Sequence, residues 1–135
     1  MRTFAVLGTL AILSGITLLA QQIKPEWKDV IGTWQGTSTC SEPSSSCSDE
    51  QALYRVKPDK NDPNKLTLEA FKMDNGRPEH IGNFSCKYAS DAKVLTCYGA
   101  KRDIWSFNVG DSTMDGTVTV GKEKTLYRKI TLTKK

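Results

Sequence analysis

Side chains that could carry out catalysis are few in this chain and stand far apart in sequence. The chain has a single histidine, His80, in the segment RPEHIG. A Ser–His–Asp constellation would have to use this residue as its base, and no serine or cysteine nucleophile motif stands near it. Asp49 and Glu50 could form an acidic site, but two solvated residues at the start of a strand account for them more simply. The sequence therefore predicts that the protein is not an enzyme and that His80 is a surface or rim residue rather than a haem ligand.

The first 20 residues have the layout of a secretory signal peptide. A positively charged start, Met1-Arg2-Thr3, precedes an apolar stretch from residue 4 to residue 20. A membrane-anchoring helix is the alternative, but glycine, serine and threonine interrupt the stretch, and it is short for a hydrocarbon core of about 30 Å. We expect cleavage after Ala20, so that the mature protein is secreted or periplasmic and has no membrane span.

The four cysteines, Cys40, Cys47, Cys86 and Cys97, could bind a metal or form disulfides. Zinc is disfavoured because the spacings are wide, no Cys-x-x-Cys motif occurs and only one histidine is present. An even number of cysteines behind an export signal is typical of two disulfides. We therefore expect no metal and no cofactor, and three disulfide pairings remain open at this point.

The charge pattern gives no sign of a nucleic-acid partner. Lysine and arginine total 19 and aspartate and glutamate total 15, which gives a formal net charge of +4. The two signs are interspersed, and only residues 122–124 and the two C-terminal lysines are locally basic. A nucleic-acid-binding surface would need a clustered basic stripe, with aromatic residues set into it for a single strand. No nucleic-acid partner is expected.

Residues 32–135 alternate between short strands and turns. Segments of alternating polar and apolar residues are separated by turn signals such as Asn75-Gly76, which favours a two-residue hairpin. No helix of crossover length lies between any two segments, so each strand should pair antiparallel with the next. Eight such strands close into an up-and-down barrel without exposed edges, and a two-sheet sandwich is the alternative. The strands are predicted at about 33–39, 51–57, 65–73, 79–88, 93–99, 103–109, 114–120 and 125–133.

A lead-in over residues 21–31 precedes the barrel. Its segment PEWKDVIG places Pro25 where a first helical turn tolerates proline, and the apolar residues that follow are spaced for one face. A helical turn this short is not stable alone and must pack on the barrel. The predicted organisation is a signal peptide, a lead-in with a short helical turn and an all-β barrel domain, over residues 1–20, 21–31 and 32–135.

Alternation along the strands separates an inner face from an outer face. In the last strand Leu126, Arg128, Ile130 and Leu132 are assigned to the inner face and Tyr127 to the outer face. Arg128 is the one charged residue assigned to the interior, so it needs acceptors or a position at the barrel mouth. A filled core is the default for a barrel of this size. The inner residues that could instead line a ligand pocket are Tyr54, Phe84, Trp105, Phe107 and Met114.

The turn between the fourth and fifth predicted strands favours one set of disulfides. A two-residue turn at residues 91–92 places Cys86 directly opposite Cys97, and opposed residues of a non-hydrogen-bonded pair are close enough for a bridge. Cys40 and Cys47 would then close the serine-rich loop SEPSSS. We therefore favour the pairs Cys40–Cys47 and Cys86–Cys97.

The segments GTWQGT and LYRKITL resemble those of lipocalin-like proteins of the calycin superfamily. The match is carried by Gly32-Thr33-Trp34 at the start of the first strand, by the helical turn before it and by Arg128 on the last strand. In that superfamily the tryptophan closes one end of the barrel, and an arginine of the last strand lies across the indole and bonds to backbone near the helical turn. The resemblance therefore implies that the Arg128 guanidinium lies over the Trp34 ring. It places the chain with the small exported lipocalin-like barrels, most of which have no assigned function.

Two functions of different kinds follow from this architecture. The first is an exported, non-catalytic barrel that binds a small apolar or amphipathic ligand. The second is a protein-interaction module, such as an inhibitor of a secreted hydrolase, that uses the loop between Cys40 and Cys47 as its contact surface. The first function needs a cavity of at least about 300 Å³, whereas the second needs a filled core and a rigid exposed loop.

Overall fold

The computed structural model describes residue 15, residues 23–42 and residues 46–135. The predicted signal peptide, 1–20, lies outside the described residues apart from position 15. A 3₁₀ turn, Pro25–Trp27, leads into eight strands. These are β1 (Gly32–Cys40), β2 (Glu50–Pro58), β3 (Leu66–Asp74), β4 (Arg77–Ala89), β5 (Val94–Tyr98), β6 (Ile104–Val109), β7 (Thr113–Val120) and β8 (Thr125–Lys134). Within the described part of the chain, no helix has the length and apolar character needed to cross a bilayer.

Every strand pairs antiparallel with its neighbour in sequence, and β1 also pairs with β8. The sheet is therefore a closed eight-stranded up-and-down barrel, as predicted, and it is consistent with a lipocalin-like fold. The alternative sandwich is excluded because the strand order contains no crossing connection. Local turn chemistry supports this order: Asn75 and Gly76, between β3 and β4, have φ of 50° and 78°, as a tight hairpin requires.

Large apolar side chains fill the half of the barrel nearest the N-terminal turn. The Phe107 ring lies against Gly116 of the neighbouring strand, where any side chain would collide with the ring. This interdigitation of large and small residues gives a packed interior rather than a channel. The largest side chains with less than 2 % of their surface exposed include Trp34, Tyr54, Leu66, Leu68, Leu95, Phe107, Met114, Ile130 and Leu132.

Trp34 closes this end of the barrel. Its side chain is fully buried, and its indole Nε1 donates a hydrogen bond to the carbonyl of Val30 at 2.9 Å. The ammonium of Lys134 lies 5.4 Å from the centre of the Trp34 ring and donates to the carbonyls of Lys28 and Asp29 at 3.3 and 3.2 Å. One lysine therefore joins the end of β8 to both the tryptophan and the backbone that follows the 3₁₀ turn.

The expectation that Arg128 lies over Trp34 is corrected by the strand register. In the β1–β8 pair Trp34 stands opposite Lys134, whereas Arg128 stands opposite Cys40 at the other end of β1. Six residues of strand separate the two levels, which is about 20 Å. The cation over the indole is thus Lys134, a lysine where the resemblance implies the arginine Arg128, and Arg128 lies at the opposite end of the barrel. The expected pairing of the first and last strands is confirmed.

Gly32 is required by this closed end. Its φ of 140° lies in a region that other residues rarely adopt, and a Cβ there would come within 3.1 Å of Lys134 Cε. A glycine two residues before Trp34 therefore gives the lysine stem room to cross β1. This contact is a physical reason for the Gly-x-Trp pattern in the sequence.

Both favoured disulfides are confirmed. Cys86 and Cys97 are directly opposed on β4 and β5, with 4.0 Å between their Cα atoms, and both are fully buried inside the barrel. Cys40 and Cys47 are joined across the β1–β2 loop, with 6.1 Å between their Cα atoms. Two disulfides are typical of a protein in an oxidising, extracellular environment.

We expect Trp34→Ala to lower the free energy of unfolding by about 3–5 kcal/mol, because it opens a cavity at the closed end.

Lys134→Ala should lower the free energy of unfolding by about 1 kcal/mol through loss of the cation–indole contact. Lys129→Ala, an exposed lysine on the same strand, is the matched control and should change stability by less than about 0.5 kcal/mol. Urea unfolding measures all three, and equal losses for the two lysine variants would contradict the role given to Lys134.

Candidate functional site

A cavity of about 610 Å³ opens at the end of the barrel opposite Trp34. We call it the mouth cavity. It lies where β1 and β7 end, where β2, β6 and β8 begin, and beside the loop between β5 and β6. Most of its lining is apolar, with a few charged groups. Its lining residues are Ser38, Glu50, Ile81, Phe84, Ala100, Lys101, Asp103, Trp105, Val118, Val120, Tyr127 and Arg128.

Two β-bulges supply side chains to the mouth cavity. The register of β3 with β4 shifts so that Ile81 has no opposite residue, and the register of β7 with β8 shifts so that Tyr127 has none. A bulge inserts one residue and reverses the alternation beyond it. The assignment of Leu126 to the inner face and Tyr127 to the outer face is therefore corrected: Leu126 is 36 % exposed, and Tyr127 lines the cavity.

The five candidate pocket residues divide between the cavity wall and the core. Phe84 and Trp105 line the mouth cavity, with 4.5 Å between their ring centres. Tyr54 lies beneath them, its ring centre 5.8 Å from that of Trp105 and 6.4 Å from that of Phe107. Tyr54, Phe107 and Met114 are at most 1 % exposed and belong to the packed core below the cavity.

Arg128 forms part of the cavity floor and has several acceptors. Its Nη1 donates to the Ser48 carbonyl at 3.0 Å and lies 3.4 Å from the Ser38 hydroxyl. Its Nη2 forms an ion pair with Glu50 Oε1 at 3.3 Å, and both side chains are largely buried. The guanidinium also lies 5.3 Å from the centre of the Tyr127 ring. Arg128 was expected to have either hydrogen-bond acceptors or a position at the barrel mouth, and it has both.

A polar layer separates the packed core from the mouth cavity. Tyr54 is hydrogen-bonded to the Ser38 side chain. The Ser38 hydroxyl also accepts a hydrogen bond from Arg128 Nη1. Burial raises the pKa of the Tyr54 phenol well above its usual range, and the hydrogen bond to Ser38 offsets this only in part. The phenol therefore stays protonated in the folded protein, and the layer contains one ion pair, Arg128–Glu50, together with neutral groups.

Asp103 fixes the aromatic wall of the cavity. Its Oδ2 accepts a hydrogen bond from Trp105 Nε1 at 2.9 Å, and its Oδ1 accepts one from the backbone N–H of Lys101 at 3.1 Å. The Asp103 carbonyl also accepts from Gly99 N at 2.9 Å, so one residue closes the β5–β6 loop. The sequence reasoning missed this residue. The signal was its position two residues before Trp105, on the same side of the strand.

The remaining candidate residues lie outside the cavity. His80 is exposed on the outer face of β4, where its ring lies 5.2 Å from that of Phe71 and its Nε2 is 2.8 Å from Asn83 Oδ1. Asp49 accepts a hydrogen bond from the backbone N–H of Cys40 at 2.8 Å and so holds the loop before β2. Asp49 and Glu50 therefore do not form a joint acidic site: the first supports the backbone and the second pairs with Arg128.

The Cys40–Cys47 disulfide joins two chain segments that border the mouth cavity, one at Ser41 and one at Ser48. Ser41 N donates to the Tyr127 carbonyl at 2.9 Å, and Ser48, just after the bridge, offers its carbonyl to Arg128. The bridge thus holds the acceptor side of the cavity floor in place. Among residues 23–42 and 46–135 there is no group of three or more His, Cys, Asp or Glu side chains that could hold a metal ion.

Comparison of the chain with known proteins gives no relative. No family model, no curated protein and no solved structure matches it.

We expect Tyr54 to make stability depend on pH in the alkaline range. Because its pKa is raised in the folded state, its contribution is fully present below the unfolded value of about 10 and is lost as the pH rises above it. Urea unfolding of the wild type and Tyr54→Phe at pH 8, 10 and 11 measures this. The stability of the wild type relative to the variant should fall across that series, and a constant difference would contradict the assignment.

We expect Asp103→Ala to release the Trp105 indole. Loss of its acceptor should make the Trp105 Nε1 proton exchange with solvent at least about tenfold faster, as measured by hydrogen-exchange NMR. The Trp34 Nε1 proton, which is bonded to Val30, serves as the internal reference and should keep its rate. Unchanged exchange at Trp105, or equal acceleration at both indoles, would show that Asp103 does not fix the cavity wall.

Proposed function

We propose that this protein is an exported, non-catalytic barrel that binds a small apolar or amphipathic ligand in the mouth cavity. The observation that carries the proposal is the cavity of about 610 Å³ between the aromatic wall and the Arg128 floor. Ligand sites in proteins typically have volumes of about 300–1,000 Å³ and combine apolar walls with a few placed polar groups. The mouth cavity meets both criteria.

The wall chemistry supports an apolar or amphipathic ligand. Phe84 and Trp105 form one side, and Ile81 and Tyr127 reach the cavity through their bulges. Bulges are enriched beside binding sites, where they redirect side chains. The Trp105 N–H is already bonded to Asp103, so the indole offers mainly its apolar ring to a ligand.

The closed end supports a place in the calycin superfamily for this barrel. Trp34 at the start of β1, the 3₁₀ turn before it and a last-strand cation over the indole repeat the arrangement that the superfamily is described by. Here the cation is Lys134. The two disulfides support export, and with the N-terminal apolar stretch we propose a secreted or periplasmic protein.

The chemistry of the cavity lining supports a binding role rather than catalysis. The lining residues with a hydroxyl group are Ser38 and Tyr127; Ser38 is engaged with Arg128 and Tyr54, and no histidine is among the lining residues described. His80 is on the outer face of β4. General base catalysis needs the base within hydrogen-bond reach of the group it activates.

A protein-interaction module, such as an inhibitor of a secreted hydrolase, is the second candidate. The observation that favours it is the Cys40–Cys47 disulfide beside the mouth, which closes a short loop, above a core that is packed around Tyr54, Phe107 and Met114. A rigid loop loses little conformational freedom on binding a partner. The two proposals differ in whether the mouth cavity itself takes up a ligand.

Titration with N-phenyl-1-naphthylamine, a neutral apolar dye, tests the first proposal. The wild type should bind it saturably at one site with increased fluorescence. Val120→Trp, which places a large ring in the cavity, should weaken binding at least about tenfold. Thr119→Trp, on the adjacent outward position, is the matched control and should bind as the wild type does. Absence of saturable binding by the wild type, or equal binding by both tryptophan variants, would contradict the proposal and favour the interaction module.

A further inference from the structure

We infer that the mouth cavity selects uncharged ligands with a head group that both donates and accepts hydrogen bonds, such as an amide or alcohol, over carboxylates of the same size. This inference rests on the proposed ligand-binding function and specifies the chemical class of the ligand. It is drawn from the ion pair between Arg128 and Glu50 at the cavity floor.

Arg128 is already neutralised within the protein. Its Nη2 lies 3.3 Å from Glu50 Oε1, and only 11 % and 19 % of the two side chains are exposed. The backbone carbonyl of Ser48 and the Ser38 hydroxyl occupy Nη1. An arginine in an apolar cavity would ordinarily attract a carboxylate ligand, but here the anionic partner is built into β2.

In this arrangement the free energy of binding is less favourable for a carboxylate ligand. If it displaced Glu50 from Arg128, a largely buried carboxylate would lose its partner. If it bound beside Glu50, two negative charges would share one guanidinium at short range and repel one another. In either case the ligand anion gives up its hydration without gaining an unpaired cation.

An uncharged head group avoids both costs. Of the described residues, Glu50 is the one acceptor at Nη2, which carries two hydrogens, and the Glu50 carboxylate has a second oxygen. The oxygen of an amide can therefore accept from Arg128 while its N–H donates to Glu50. The ion pair remains intact and gains two hydrogen bonds to the ligand.

The other charges at the cavity do not create an anion site. The lining contains two acidic residues, Glu50 and Asp103, and two basic residues, Lys101 and Arg128, so its formal charges cancel. Both Asp103 oxygens accept hydrogen bonds from the protein. Lys101 is exposed at the rim, where water screens its charge.

Calorimetric titration with decanamide and with decanoate at pH 7.5 tests the inference, because the two ligands share a chain and differ in the head group. The wild type should bind the amide at least about tenfold more tightly. Glu50→Gln removes the built-in anion and retains an acceptor for Arg128, so decanoate should then bind as tightly as the amide or more tightly. Glu79→Gln is the matched control: it removes the same charge from an exposed position on β4, outside the cavity lining, with 56 % of the side chain exposed, and should keep the wild-type preference.

The outcomes separate this inference from the proposed function. Equal or tighter binding of decanoate by the wild type would overturn the inference and leave the ligand-binding function standing. An unchanged preference in Glu50→Gln that folds, as judged by its thermal transition, would also overturn it. If the wild type binds neither ligand nor the neutral dye, the proposed function fails and the inference fails with it. Because the wild-type comparison needs no variant, the test does not depend on Glu50→Gln folding.

Discussion

The pairing of β1 with β8 is the contact on which the rest of the molecule depends. Without it the eight short strands would form an open sheet with two exposed edges and no enclosed interior. Its register also places Lys134 and Arg128 of the last strand at opposite ends of the barrel: Lys134 lies at the level of Trp34, and Arg128 lies at the level of Cys40. A different register would remove the cation from the closed end and the ion-pair partner of Glu50 from the cavity floor. Closure of the barrel and formation of the mouth cavity therefore depend on the same β1–β8 register.

Features that depend on neighbouring residues could be predicted from the sequence. Alternation and turn residues locate the eight strands to within one or two residues, because a strand's pattern and its turn are local. The Cys86–Cys97 bridge follows in the same way, since the count from the turn at residues 91–92 fixes which residues are opposed. Strand order follows from the absence of long connections.

Features that depend on register between distant strands could not be predicted. The sequence contains two cations on the inner or terminal positions of β8, and only the β1–β8 alignment decides that Lys134 rather than Arg128 meets Trp34. The bulges at Ile81 and Tyr127 could not be predicted from the sequence either, because the residues on each side of a bulge still alternate between polar and apolar. The cavity residues Ile81 and Tyr127 were missed for this reason, whereas Phe84 and Trp105, which obey simple alternation, were identified.

Trp34 and the packed core beneath the polar layer close one end of the barrel, and the mouth cavity opens at the other end. If the mouth cavity binds a ligand as proposed, the ligand enters and leaves through this opening, so one ligand molecule has to leave before another can bind. The Cys40–Cys47 disulfide and the neighbouring Ser41 lie beside that opening. If a protein bound beside this disulfide, as in the second proposal, it would block the opening of the mouth cavity. Under the two proposals, binding of a small ligand and binding of a protein partner would therefore use the same end of the barrel.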